Sequence, residues 1–336
     1  MARPGARNLI TDTPGLLVGQ AEDAGARTGV TVLYPQARAV CAVDVRGGGP
    51  GTRETDALAP DTLVEAVDAL VLAGGSVYGL AAADGVAAAL GARGRGFALT
   101  AQDGVPPSPV TPAAILFDLA NGGDKDWGES PPYRDLGKAA LAAAGEDFAL
   151  GNAGAGYGAA AGMLKGGTGS ASLVTGQGVT VGALACVNSF GSVTRPDGAF
   201  WAAPFEIGAE YGGRAPGPDR LPPGDWTGTK LDPNARENTT LAVIATDAAL
   251  TPAQARRVAV MAQDGLARAI RPVHTPFDGD VVFVLSTARQ GLADPAPLSL
   301  AQLGAAAADT LARAVARGVY EAQSLGGMRS WRDLHS

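Results

Sequence analysis

ENTTLAVIATDA, residues 237–248, changes character within four residues. Ahead of it, from Ala203 to Arg236, runs a polar stretch rich in proline and glycine. So long a structure-poor segment inside a compact chain is functional, a linker, or disordered. From Thr239 to Asp247 the residues alternate and are rich in β-branched side chains, which predicts a core strand. Thr251 then stands where a helix cap belongs, with Pro252 at the first helical position. Val258, Met261, Leu266 and Ile270 share one face of that helix. Val281–Leu285 predicts another strand, and Leu298–Ala322 a long amphipathic helix.

Short apolar runs also alternate with helical patterns upstream. Gly29–Leu33 and Ala39–Val45 read as paired strands around a Tyr34–Pro35 turn. Val67–Leu72 reads as a buried strand leading into Gly74–Gly75–Ser76, with Ser76 placed to cap an alanine-rich helix over Val77–Leu90. Residues 121–135 form a polar loop before a helix over Leu136–Ala144, and Val179–Asn188 reads as a strand ending at Asn188. Strands and helices mixed without a strict βαβ rhythm favour a layered α/β sandwich over a Rossmann sheet.

The composition narrows the chemistry. Glycine supplies 48 of 336 residues, twice the usual ~7 %. They show no three-residue period, so collagen is excluded, and tight turns and close backbone approach become the expected uses. With 46 % apolar residues the chain can bury a large core, which argues against extensive disorder. Two histidines (His274, His335) and two cysteines (Cys41, Cys186) cannot build a dense zinc site. The cysteines read as buried apolar thiols. A net charge of −7 and a pI near 4.9 argue against a nucleic-acid partner. Residues 1–7 are basic, but residues 8–19 (NLITDTPGLLVG) are too polar for a signal-peptide core. No apolar run has membrane-spanning length, so a soluble, cytoplasmic protein is expected.

Three segments resemble catalytic motifs. Gly74–Gly79 reads G-x-S-x-x-G, one residue from a nucleophile elbow, but a serine triad needs a histidine base and His274 is the sole candidate. Helix capping is the better reading of Ser76. Gly154-Ala-Gly156 with Ala159 matches a dinucleotide fingerprint only loosely, and Lys165–Ser170 (KGGTGS) is not a phosphate-binding P-loop. The third is the Asn238–Thr239 bond. If it were cut, Thr239 would become an N-terminus at the mouth of a rigid strand. A free α-amino group has a pKa of ~7.7–8 and can accept the proton of its own threonine hydroxyl, so no histidine is needed. On the residues alone, an ordinary strand beginning remains open.

Several stretches taken together resemble one family: GTRETDAL (51–58), VDALVLAGGSVYGLAAADGV (67–86), AAILFDLANGGD (113–124), GNAGAGYGAAAG (151–162), KGGTGSAS (165–172), ACVNSFG (185–191), ENTTLAVIATDA (237–248) and HTPFDGD (274–280). They are similar to the DmpA-type L-aminopeptidase/D-esterase family, which includes β-aminopeptidases and the 6-aminohexanoate-oligomer endo-hydrolase. The resemblance implies an α/β fold, a four-layer αββα sandwich of the DmpA/ornithine acetyltransferase type, in a single hydrolase domain. It also implies autocleavage at Asn238–Thr239 into residues 1–238 and 239–336, with Thr239 as nucleophile. Asn188 falls on the oxyanion-hole asparagine, and Asp278 and Asp280 on the acidic pair that would orient the new amine.

Two positions depart from the nylon-oligomer branch. Its tyrosine falls on Phe117, which lacks a hydroxyl, and its lysine falls near Met163, two residues from Lys165 of the KGGTGS loop. The expected substrate is a small peptide or amide, without metal, organic cofactor, nucleic acid or membrane, and the expected assembly is a homo-oligomer, a tetramer of processed units. An acyltransferase of the ornithine acetyltransferase type and an uncleaved binding or scaffold protein remain the alternatives.

Overall fold

The computed structural model describes residues 2–219, 222, 224–230 and 238–335. Glu237 and part of the 203–236 stretch lie outside the described residues. The first half carries β1 (Leu16–Asp23), β2 (Thr28–Pro35), β3 (Ala39–Val45), β4 (Thr52–Arg53), β5 (Ala66–Val67) and β6 (Leu70–Ala73). Then come α1 (Ala81–Gly91), β7 (Ala113–Ile115) and α2 (Tyr133–Ala142). β8 (Ala160–Ala161), β9 (Leu164–Lys165), β10 (Gly167–Val174) and β11 (Thr180–Asn188) follow. The last part holds β12 (Thr239–Ala248), α3 (Pro252–Ala269), β13 (Val281–Gln290), α4 (Ala296–Tyr320) and α5 (Trp331–His335).

Two sheets face each other between two pairs of helices. One has the order β1-β2-β6-β7-β4, the other β10-β11-β12-β13-β3-β5. Helices α1 and α2 cover the first sheet, and α3 and α4 the second. The layering follows from side-chain alternation. Leu241, Val243 and Ala245 of β12 join Leu33, Leu70 and Leu72 in the cluster between the sheets. Ala242 and Ile244 point the other way, against Leu266 of α3 and Leu311 and Val315 of α4. A strand covered on both faces must be apolar at both parities, and β12 is buried along its whole length. At its far end Thr251 caps α3 by accepting from Gln254 N–H, as its position predicts.

Several local expectations need correction. β2 and β3 do not pair with each other. β2 lies between β1 and β6 in one sheet, while β3 pairs with β13 and β5 in the other. The 67–72 run is likewise split between sheets. Buried Asp68, facing Arg38 and Arg95 at 3.3 Å each, sits between β5 and β6. Ser76 does not cap a helix over 77–90; it opens a 3-10 turn at a φ of 52°, and α1 begins at Ala81 without a side-chain cap. The KGGTGS segment is mostly strand, not loop. Gly169 of β10 lets α4 approach so closely that a Cβ there would stand 1.9 Å from the Ala314 carbonyl oxygen. Both cysteines are free and buried, and no helix among the described residues is long and apolar enough to cross a membrane.

Candidate active site

Strand register gathers the site. β12 runs antiparallel to β11 with Thr239 opposite Asn188, and parallel to β13 with Leu241 opposite Val281. The head of β12, the end of β11 and the residues leading into β13 therefore meet at one edge of the inner layers. Four of the residues expected from sequence, Asn188, Thr239, Asp278 and Asp280, come together there. All four are buried.

The Asn238–Thr239 peptide is tightly held. The Asn238 N–H donates to Phe277 O at 2.8 Å, and its carbonyl oxygen accepts the Gly279 N–H at 2.6 Å. That same oxygen accepts the Thr239 hydroxyl at 2.6 Å. Gly279 has to be a glycine for this approach, because a Cβ there would stand 2.6 Å from Thr239 Oγ1. The loop of Gly47, Gly48 and Gly49 backs it, with the Gly49 N–H donating to Asp278 O at 2.8 Å.

The two carboxylates face different ways. Asp280 accepts the Thr240 N–H on Oδ1 at 2.8 Å; its Oδ2 accepts the His274 N–H at 3.1 Å and lies 2.9 Å from His274 Nδ1. Asp278 accepts the Phe190 N–H at 3.0 Å on one oxygen. Its other oxygen accepts the Thr275 N–H and hydroxyl at 2.9 and 2.6 Å. Burial, and then the charge of Asp280, hold the Asp278 carboxyl above the usual range.

Asn188 turns its amide oxygen to the Ala160 N–H at 2.9 Å, and its Nδ2 donates to Phe117 O at 2.9 Å. Phe117 thus reaches the site through its backbone. Lys165 lies behind, donating to Gly156 O at 3.3 Å and Gly166 O at 2.7 Å. Burial pushes its amine down to about 7, against the attraction of Asp118.

The lysine that reaches Asn238 is Lys230, which the sequence does not single out. Its Nζ donates to Asn238 Oδ1 at 2.7 Å and to Asn188 Oδ1 at 3.4 Å. Burial of the amine brings it down to about 7, opposed by Asp278. A single lysine in a proline- and glycine-rich loop has no periodicity to mark it. His274 and Gly279 lie within the HTPFDGD stretch, but the sequence gives neither a role at Asn238 or Asp280. Among the described residues no group of three or more His, Cys, Asp or Glu is placed to hold a metal ion.

Two facing sheets between two helix pairs give the αββα layering of the Ntn hydrolase fold. The chain belongs to Peptidase family S58, whose family model matches residues 8–332. It is 48 % identical to an uncharacterized aminopeptidase of Mycobacterium tuberculosis (strain H37Rv), over 97 % of this chain and 98 % of the relative. It is 31 % identical to a 6-aminohexanoate-oligomer endohydrolase of Kocuria sp. (strain KY2), over 84 % and 76 %. Among solved structures, a Burkholderia sp. beta-aminopeptidase superposes with a TM-score of 0.71 at 25 % identity, covering 98 % and 92 % of the two chains. The L-aminopeptidase D-Ala-esterase/amidase of Ochrobactrum anthropi, described as a variant of the Ntn hydrolase fold, gives 0.71 at 22 % identity, over 98 % and 90 %.

Proposed function

We propose that the protein is a self-processing aminopeptidase or amidase whose nucleophile is Thr239, released by cleavage of the Asn238–Thr239 bond. The observation that carries this reading is the doubly held Asn238 carbonyl. Its oxygen takes both the Thr239 hydroxyl and the Gly279 N–H, each at 2.6 Å. The attacking oxygen already rests against the carbonyl, and a fixed N–H waits where negative charge develops. In the precursor, Thr239 Oγ bonds to the Asn238 carbonyl carbon, the C–N bond breaks, and the hydroxyl proton passes to the departing amine. Water then hydrolyses the ester, leaving an Asn238 carboxylate and a free Thr239.

In the processed enzyme the amine accepts the proton from its own hydroxyl as Oγ attacks a substrate carbonyl. The ammonium returns that proton to the leaving amine, which departs; an acyl-enzyme remains, and water releases the acid. Gly279 N–H, freed from Asn238, and the amide of Asn188 would serve the oxyanion; losing one such donor typically costs ~3 kcal/mol of barrier. Asp280 already binds the N–H of Thr240, so its carboxylate lies one residue from the new ammonium and would steer it. Family membership and the aminopeptidase relative support N-terminal amide bonds of small peptides or amides as substrates.

Denaturing electrophoresis of purified protein tests this. Cleavage predicts bands near roughly 24 and 10 kDa, in proportion to 33.5 kDa for the whole chain. Thr239→Ala should give one full-length band and no hydrolysis of aminoacyl p-nitroanilides. Full hydrolytic activity in Thr239→Ala would refute the nucleophile assignment.

A further inference from the structure

Self-cleavage poses a problem of geometry. The carbonyl of Asn238 must stay fixed while Thr239 Oγ attacks it, and Asn238 lies at the edge of a proline- and glycine-rich stretch. We propose that Lys230 is a positioning residue for self-cleavage, its amine clamping the Asn238 side chain against Asn188 so that the scissile carbonyl stays in front of Thr239 Oγ. This rests on the self-processing reading above and assigns a group to its first step.

Asn238 is held through both its backbone and its side chain. Phe277 O and Gly279 N–H take its backbone at 2.8 and 2.6 Å. Lys230 Nζ takes its side-chain oxygen at 2.7 Å and spans to Asn188 Oδ1 at 3.4 Å. The backbone contacts fix the main chain of Asn238, and the lysine adds a hold on its side-chain oxygen. Lys230 is itself anchored. Its N–H donates to Phe190 O at 3.0 Å, and Phe190 N–H in turn binds Asp278. Gly228, two residues earlier, accepts the Met163 N–H at 3.0 Å. The clamp therefore links the residue before the cut to the Phe190–Asp278 pair and to the end of β11. Both protonation states of a lysine amine carry N–H donors, so the clamp does not depend on the ionised form.

The experiment follows cleavage over time in pulse-labelled, cell-free synthesised full-length chain. Lys230→Met should slow cleavage about tenfold or more, the usual effect of losing such a hydrogen bond at a reacting group. Lys230→Arg, which keeps donors at that reach, should recover part of the rate. Asn238→Ala removes the same contact from the other side. Its effect should not add to that of Lys230→Met in the double variant. Both substitutions are also placed in the uncleavable Thr239→Ala chain, where equal melting temperatures separate a cleavage defect from a folding defect. If Lys230→Met misfolds, Asn238→Ala and Lys230→Arg still decide. Wild-type rates in Lys230→Met, or fully additive losses, overturn the clamp and leave self-processing intact. An uncleaved wild type instead overturns the self-processing reading, and the clamp with it.

Discussion

Gly279 stands between two buried carboxylates, with its backbone N–H on the Asn238 carbonyl oxygen and no room for a side chain. An alanine there would place its Cβ 2.6 Å from both Thr239 Oγ1 and Gly49 O. Either the hydroxyl turns away from the Asn238 carbonyl or the 47–49 loop shifts. A misplacement of about 1 Å costs on the order of a hundredfold in rate. Gly279→Ala should therefore fold yet cleave roughly a hundred times more slowly in a time course, and cleavage at the wild-type rate would show that this packing does not set the geometry. Lys165 makes a prediction of another kind. Its folded pKa of about 7 lies below the ordinary lysine value, held there by burial and by Lys230 and opposed by Asp118. The unfolded chain thus binds more protons than the folded one above pH 7, and stability contributed by this site rises with pH through that range. Buried Cys41 and Cys186, whose thiols are pushed up by burial, act oppositely above about pH 8.5, near the ordinary thiol pKa. The useful window is therefore pH 7 to 8.5. In the Thr239→Ala chain, urea midpoints should climb across it, and adding Lys165→Met should lessen the climb, leaving the share of Lys230, whose buried amine is also brought down to about 7. An unchanged slope would mean that Lys165 does not carry the linkage.

At the scale of elements, β10 and α4 show what glycine does in this chain. Gly169 in the strand faces the Ala314 carbonyl of the helix, and Gly167 faces Gly318 O. Gly169→Ala should destabilise by at least the ~1–3 kcal/mol typical of overpacking, read as a lower urea midpoint. No change would mean that α4 can lift away without loss. Close approach is among the expected uses of the glycine excess, yet KGGTGS still reads as a loop, because local sequence records flexibility and not the helix that arrives from far along the chain. The same limit explains β2 and β3. Each run is legible as a strand, but a nearby turn suggests pairing, and only the whole sandwich sends them to different sheets. What local pattern does capture is β12, α3 and α4, where apolar periodicity and the Thr251 cap are self-contained. Of the site, Asn188, Thr239, Asp278 and Asp280 are readable by resemblance, while Lys230 and His274 are not. Their roles depend on a fold that brings a loop lysine to Asn238 and a histidine to Asp280.

For the molecule as a whole, a cut at Asn238–Thr239 would sever the covalent chain in the middle of a sheet without separating its parts. β12 and β13 would belong to the second piece, yet β12 pairs with β11 and β13 with β3, both from the first. Separation would expose the core on both faces of β12 and break two ladders. An ion pair spans the same divide. Arg313 of α4, with a side chain 2 % exposed, faces Glu210 Oε1 at 2.5 Å. The same guanidinium donates to Ser172 O and Asn8 Oδ1 at 2.9 Å each. All three partners lie before residue 239. Such a pair need not add much over an apolar substitute, but losing one member leaves a buried charge alone, which costs about 3–5 kcal/mol. Glu210→Ala should therefore lower the urea midpoint and, in processed protein, let the two pieces part at lower denaturant. Glu210→Gln, which keeps an acceptor for the guanidinium, should fall between. Native size-exclusion chromatography followed by denaturing electrophoresis of the peak reads both. The wild-type pieces should elute together, and their separation without denaturant would refute the view that sheet pairing and the Arg313 contacts hold a cleaved molecule in one fold.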